Sequence, residues 1–332
     1  MKKLLIIALV FSVLFTAACQ SSPSSSATTQ GTQSQDNSRQ DQLYIEVAAL
    51  GNVDYFYDHK MGMQKVGEEL GVKTEYVGPS EYDMNAMIAA FEQSIAKSPN
   101  GIVVIGFEDS LNPIIKKSLD AGIPVVTVDA DLPDSGRLAF VGTGNVNAGR
   151  MGGEALAELI GGVGKVAIMT KPGQSNFEER MQGYEEAFAS YPGIEVVQIV
   201  DTQIDLVIAA QGAAALLQKY PDLAGIACME ATGGSGAATA VKEAGLQGNI
   251  KIIAMDRDND VLNMIEEGII TATVVQQTAL MPYYGTQILF NLANSKVDIT
   301  SDNAAAGVSG IPSMIDTGVI IVDSSNVKYF KR

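Results

Sequence analysis

The sequence predicts an α/β fold of two lobes, each a doubly wound parallel sheet. Three observations predict it. Short, nearly all-apolar segments alternate with longer amphipathic ones from about residue 43 to about residue 294. Strands of that kind are buried on both faces, which requires a parallel sheet with helices on each side. The alternation runs through two similar halves of about four or five strand–helix units apiece, and a length of 332 residues suits two domains of ordinary size.

The chain opens on a secretory signal, 1–18. Lys2 and Lys3 precede the apolar run LLIIALVFSVLFTAA, and the small pair Ala17 and Ala18 precedes Cys19. This junction resembles a bacterial lipobox, with Thr16 where Leu is usual, and implies acylation of Cys19. The other reading is an uncleaved membrane anchor. Residues 19–41 follow as a polar, Ser/Thr/Gln-rich linker without large apolar residues, expected to be a disordered tether.

The body then reads as a regular alternation. Strands are expected at 43–50, 73–78, 101–106 and 123–129, with helices at 61–71, 84–97 and 112–122. A short apolar strand, 138–141, leads to Gly142-Thr143-Gly144-Asn145 and a helix over 147–162. Four strands follow, at 165–170, 194–201, 224–230 and 251–256, each followed by a helix, at 176–191, 206–220, 234–245 and 260–268. A strand at 269–277 and a helix at 279–294 complete the pattern. In such sheets ligands bind outside the carboxyl ends of the strands, and two facing edges make a cleft. Asp129 stands at one strand end and is expected to hold a ligand. The small, polar turn Thr143, Gly144, Asn145 is expected to be a hinge between lobes.

Composition narrows the function. A net charge of −16 argues against nucleic-acid binding, which needs basic patches. The one histidine, His59, excludes a His-rich zinc site and reads as a surface residue beside Tyr57, Asp58 and Lys60. Cys228 reads as a small core hydrophobe in GIACM. No metal or cofactor is expected. GTGNVN lacks the third glycine of a dinucleotide loop, and GGVGK lacks the phosphate-loop spacing. SIAK matches a serine–lysine motif without its KTG or SDN partners. Acidic residues recur at strand ends (Asp129, Asp131, Asp201, Glu230, Asp256). They suit either hydroxyl acceptance by a binding site or a carboxylate pair for glycoside hydrolysis.

Several longer motifs carry a resemblance. GVKTEYVGPSEYDMNAMIAAFEQSIAKSPNGIVVIGFEDSLNPIIKKSLDAGIPVVTVDADL, FVGTGNVNAGRMGGEAL, ERMQGYEEAF and KIIAMDRDNDVLNMIEEGIITATVVQQ are together similar to type I solute-binding proteins of the ribose-binding family. The similarity runs from about Leu43 to about Val322. It implies two lobes joined by three crossings, near 143–145, 276–278 and 308–312. The N-terminal lobe would be 42–143 plus 277–308, the C-terminal lobe 144–276 plus 309–332. It implies a ligand site of Asn52, Tyr55, Phe56, Asp129, Asp131, Arg180, Glu230, Asp256 and Gln276. Among the departures, Ala130 replaces an arginine and Glu230-Ala231-Thr232 replaces an asparagine. Ile204 stands where the family has a second-lobe aromatic.

The function so implied is capture of a monosaccharide or related small polyol by a monomeric, lipid-anchored extracytoplasmic receptor. Its partner would be an ABC permease in the membrane. The competing expectations are presentation of the ligand to a sensor kinase or chemoreceptor, and a cleft glycosidase using Asp129 and Glu230.

Overall fold

The computed structural model describes residues 39–48 and 54–331. The signal segment, Cys19, most of the 19–41 linker and Asn52 lie outside the described residues.

The first half of the chain supplies β1 (Leu43–Val47), α1 (Asp54–Leu70), β2 (Lys73–Val77), α2 (Met84–Ala96) and β3 (Gly101–Ile105). It continues with α3 (Asn112–Asp120), β4 (Val125–Val128) and β5 (Ala139–Gly142). After α4 (Asn145–Leu159) come β6 (Val163–Thr170), α5 (Ser175–Phe188), β7 (Gly193–Asp201) and α6 (Leu206–Lys219). Then follow β8 (Leu223–Cys228), α7 (Ala231–Glu243), β9 (Lys251–Met255), α8 (Asn259–Glu266) and β10 (Ala272–Gln276). The last elements are α9 (Leu280–Asn294), β11 (Met314–Asp316) and β12 (Val319–Asp323).

These strands form two six-stranded sheets, ordered β11-β5-β4-β3-β1-β2 and β12-β10-β9-β8-β6-β7. The first is parallel throughout. The second is parallel except for β12, which runs against β10. Burial explains the apolar strands. Neighbouring residues of β8 and β9 serve opposite faces: Ile226, Ile252 and Ala254 belong to one core layer, Ala227, Ile253 and Met255 to the other. Helix α9 returns to the first sheet, where Met281, Ile288, Leu289 and Phe290 join its core.

Two expectations are corrected here. The resemblance puts the third crossing near 308–312, with 309–332 in the C-terminal lobe. The structure pairs β11 with β5 in the first sheet and β12 with β10 in the second, so the chain crosses at Thr317–Gly318. β11, Met-Ile-Asp, is only three residues long and carries no strand pattern, so the first-lobe strand before the crossing is not visible in the sequence, although β12, VIIVD, is an apolar run. His59 is not on the surface. Helix α1 begins earlier than the apolar pattern from residue 61 suggested, and Phe56, His59, Met63 and Val66 form one buried stripe on it. Their spacing of three and four residues puts them on a single helix face.

The three crossings are tied to one another. Gly144 N–H donates to Asp316 Oδ1 at 2.7 Å, Thr317 N–H to the Gly142 carbonyl at 2.9 Å, and Gln277 Nε2 to the Thr317 carbonyl at 2.5 Å. A Cβ on Gly144 would displace the Asp316 carboxylate from this contact.

Candidate functional site

In both sheets the chain order reverses beside the first strand of its lobe, between β1 and β3 and between β6 and β8. The crevice outside the carboxyl ends of the strands at such a point is where open α/β sheets bind ligands. Asp129 leaves β4 and Asp256 leaves β9 into this space, and the two are equivalent by position. Both have left-handed backbones, with φ of 65° and 66°. Both donate their N–H to the next strand, Asp129 to the Val141 carbonyl at 3.1 Å and Asp256 to the Val274 carbonyl at 2.9 Å. Left-handed geometry is uncommon outside glycine and is tolerated best by Asp and Asn. Each lobe thus offers one carboxylate on a fixed backbone.

Tyr55 on α1 joins Asp129, its Oη donating to Asp129 Oδ1 at 2.5 Å. Burial pushes the Tyr55 phenol well above its ordinary pKa, and the negative charges of Asp129 and Asp256 push the same way. It therefore stays a neutral donor. The nearby Arg180 charge opposes the shift, which sets the arginine at the same site.

Arg180 comes from α5 and is 5% exposed. Its Nε donates to Asn145 Oδ1 at 2.9 Å, its Nη1 donates to the Met229 carbonyl at 2.7 Å, and the guanidinium lies 5.5 Å from the Phe177 ring centroid. The position of this fork depends on how closely α4 and α5 approach. A Cβ on Gly149 would overlap the Arg180 carbonyl oxygen, and one on Gly183 the Val146 carbonyl oxygen. Glycine at these two places lets the helix backbones touch.

Gln276 connects the acidic pair to the hinge. Its Nε2 donates to Asp256 Oδ1 at 2.8 Å, and its Oε1 accepts from Thr143 Oγ1 at 2.7 Å. A second link between lobes lies beside it: Arg257 Nη2 pairs with Asp58, which also accepts from Thr278 Oγ1 at 3.0 Å.

Burial raises the Asp256 carboxyl to about 6, against the pull of the Arg180 charge and the Gln276 hydrogen bond. An acid whose folded pKa lies above its unfolded value favours folding most when protonated. The contribution is fully present below the unfolded value near 3.8 and is lost as pH rises through about 6. Asp256→Asn should therefore stabilise the ligand-free protein at pH 7–8, by on the order of 2 kcal/mol. Thermal melts across pH 4–8 should show a flatter profile in the variant. An unchanged profile would mean that Asp256 does not titrate there.

The structure thus gathers Tyr55, Asp129, Arg180, Asp256 and Gln276. Three other expected ligand residues are employed elsewhere. Phe56 is 5% exposed and sits in the first-lobe core, edge-on to Tyr55. Asp131 pins the loop after β4: it takes a two-pronged contact from Arg137 at 2.5 Å and accepts from Thr127 Oγ1 and Leu132 N, both at 2.8 Å. Glu230 caps α7. Its Oε1 accepts from Gly233 N and Thr202 Oγ1, its Oε2 from Thr232 N and Thr232 Oγ1. A carboxylate has about four acceptor positions, so Glu230 has none to spare for a sugar or for acid–base work.

Aromatics at the rim escaped the sequence reading. Phe107 follows β3 and lies edge-on to Phe56, at 6.1 Å between centroids, and to Tyr82, at 5.9 Å. Tyr82 is half-exposed and donates to Glu108 Oε1 at 2.7 Å. An aromatic immediately beyond an all-apolar strand was the available signal. On the opposite lobe Ile204 is exposed and left-handed, with φ of 56°. That geometry is strained for a β-branched residue, and such strain clusters at functional loops.

Two carboxylates at strand ends, a buried guanidinium and three tied crossings lie between two parallel-sheet lobes. The chain belongs to the periplasmic binding protein domain family, whose model matches residues 45–296. It is similar to a sugar ABC transporter sugar-binding protein from Bacillus halodurans, with 37% identity and a TM-score of 0.83 over 88% of this chain and 100% of the other. It is also similar to AraP, an arabinose-binding protein from Geobacillus stearothermophilus, with 35% identity and a TM-score of 0.83 over the same shares. The D-allose-binding periplasmic protein of Escherichia coli K12 is 29% identical over 75% of this chain and 84% of its own length. Among the described residues no helix is long and apolar enough to cross a membrane.

Proposed function

We propose that the protein captures a monosaccharide or related small polyol between its lobes and delivers it to an ABC permease. One observation carries this reading: Asp129 and Asp256 project from equivalent, left-handed strand ends of opposite lobes, with the Arg180 fork beside them. Carboxylates accept hydroxyl protons, and a guanidinium donates to several oxygens in one plane. A polyhydroxylated ring satisfies both. The similarity to arabinose- and allose-binding proteins supports the same class. The ligand leaves unaltered, since the site's second carboxylate candidate for hydrolysis, Glu230, is spent on a helix cap.

Closure about the three crossings would sequester the ring and strengthen its polar contacts by excluding water. The closed form presents both lobes to the permease at once. A thermal-shift screen of pentoses, hexoses, deoxysugars and inositols tests the reading. A sugar at a hundred times its dissociation constant should stabilise the protein by about 2.7 kcal/mol. Failure of every polyol to raise the melting temperature would defeat it.

The protein acts as a monomer held at the membrane surface through an acyl group on Cys19, with residues 20–41 as the tether. Cys19→Ser should release it from the membrane fraction and leave sugar affinity unchanged, because the linker separates the anchor from the site. Fractionation followed by calorimetry checks this, and continued membrane retention would favour an uncleaved anchor instead.

A further inference from the structure

Beneath the first-lobe half of the site lies a titratable pair that the proposed function does not use. His59 Nδ1 meets Glu46 Oε1 at 2.6 Å, and both side chains are 0% exposed. Glu46 is on β1, an inner strand of the first sheet, and His59 is on the buried stripe of α1. The imidazole is packed against two aromatic rings, with centroids 5.4 Å from Phe56 and 6.0 Å from Tyr55. Tyr55 and His59 are one helical turn apart, so the ring whose hydroxyl donates to Asp129 is supported by the imidazole. Among the described residues, Glu46 Oε2 and His59 Nε2 are buried without a hydrogen-bond partner.

Such a pair is a poor device for stability alone. Removing two charges from water costs more than their attraction returns unless every polar atom is satisfied, and apolar residues of the same size usually do as well. The surroundings suggest a different use. The groups facing His59 are Glu46 from β1, Asp58 and Tyr55 from α1, and Asp129 from the end of β4. Tyr76 from β2 faces Glu46 and Asp129, and Lys60 covers its ring at 5.2 Å. Asp58 has its own cation in Arg257. Asp129 has its hydrogen bond from Tyr55 and, on this lobe, His59 as the buried basic group whose field it shares.

We infer that His59 is a positioning residue, an imidazolium fixed by Glu46 that holds Tyr55 from below and supplies the positive charge behind Asp129. Ligand affinity is thereby coupled to the protonation of the chain's one histidine. This rests on the reading of the cleft as the ligand site. The direction of titration agrees: burial lowers the His59 pKa, but the charge and hydrogen bond of Glu46, with the charges of Asp129 and Asp58, outweigh it and raise the value. A raised value means that the positive charge persists to higher pH than on a free imidazole and is lost as pH rises through the folded value. Affinity should follow it downward.

Nitrogen NMR on 15N-labelled protein reads this directly, because a single histidine gives one imidazole. In the ligand-free protein both ring nitrogens should carry protons at pH 7. Asp129→Asn should lower the titration midpoint by at least about half a pH unit, and Glu46→Gln by more. D-ribose, D-allose and L-arabinose then serve as binding probes. For any that binds, affinity should weaken about tenfold as pH rises through the measured midpoint, and this step should vanish in His59→Gln. A neutral imidazole at pH 6.5, or a midpoint unmoved by Asp129→Asn, overturns the inference. So does a pH step that persists in His59→Gln, which would belong to another group such as Asp256. If none of the three sugars binds, the sugar reading suffers while the ligand-free titration still decides the inference.

Discussion

Replacing Asp129 with alanine should weaken sugar binding by roughly 2–4 kcal/mol, a thirty- to thousandfold rise in dissociation constant. The carboxylate has two oxygens. Tyr55 Oη occupies Oδ1, which leaves Oδ2 as the acceptor that the proposed reading assigns to ligand hydroxyls. Hydrogen bonds to a charged acceptor contribute about 1.5–3 kcal/mol each, and truncation also strands the Tyr55 hydroxyl and the sugar hydroxyls it served. Folding should survive. Asp129 lies beyond β4 and takes no part in the core around Val125, Val126 and Val128. The matched control is Asp134→Ala, an exposed residue of the 310 turn Pro133–Ser135, which should change affinity by less than about 0.5 kcal/mol. Isothermal titration calorimetry on both variants gives the comparison, and equal, small effects would remove Asp129 from the site.

Arg180→Ala should cost more, about 3–5 kcal/mol of affinity together with a loss of stability. The guanidinium serves two masters. Toward the ligand, in the proposed reading, it is the buried fork. Toward the protein it satisfies Asn145 Oδ1 and the Met229 carbonyl, linking the start of α4 to the end of the β8 segment. Alanine leaves both acceptors unpaired and Asp256 without its nearby cation, so the Asp256 carboxyl should rise further. Arg180→Lys separates the two roles. It restores the charge near Asp256 but not the planar, multi-donor geometry, so it should recover the melting temperature better than the affinity. Full recovery of affinity by lysine would mean that charge alone is what the site requires.

The parts of this molecule that were legible in the sequence share one physical cause. Strands buried on both faces must be apolar throughout, so the first charged residue after such a run marks a strand end. Asp129 and Asp256 were visible for that reason, and the order of elements followed from the same pattern. The resemblance to the ribose-binding family added Tyr55, Arg180 and Gln276, which the structure brings to the same place. What failed were residues whose partners lie on other elements or across irregular turns. Nothing near Glu230 announces that Thr202, from the loop after β7, will fill its carboxylate. Asp131 is taken by Arg137, a few residues on but across a turn that periodicity does not describe. His59 looked like a surface residue among polar neighbours because its partner, Glu46, is on another element. Phe56 and Tyr55 are adjacent, and only the helix geometry decides which of them faces the core. The last crossing was not legible because β11, the first-lobe strand before it, is the three-residue Met-Ile-Asp, too short to show a pattern.

The account stands or falls on where a bound sugar sits. A crystal structure of the protein with the sugar that gives the largest thermal shift places it directly. The prediction is a single ring between the lobes, with hydroxyl oxygens within about 3 Å of the carboxylates of Asp129 and Asp256 and of the Arg180 guanidinium, and with the three crossings at Thr143, Gln276 and Thr317 closed around it. A ring bound outside the cleft, or one in the cleft that touches neither Asp129 nor Arg180, would contradict it.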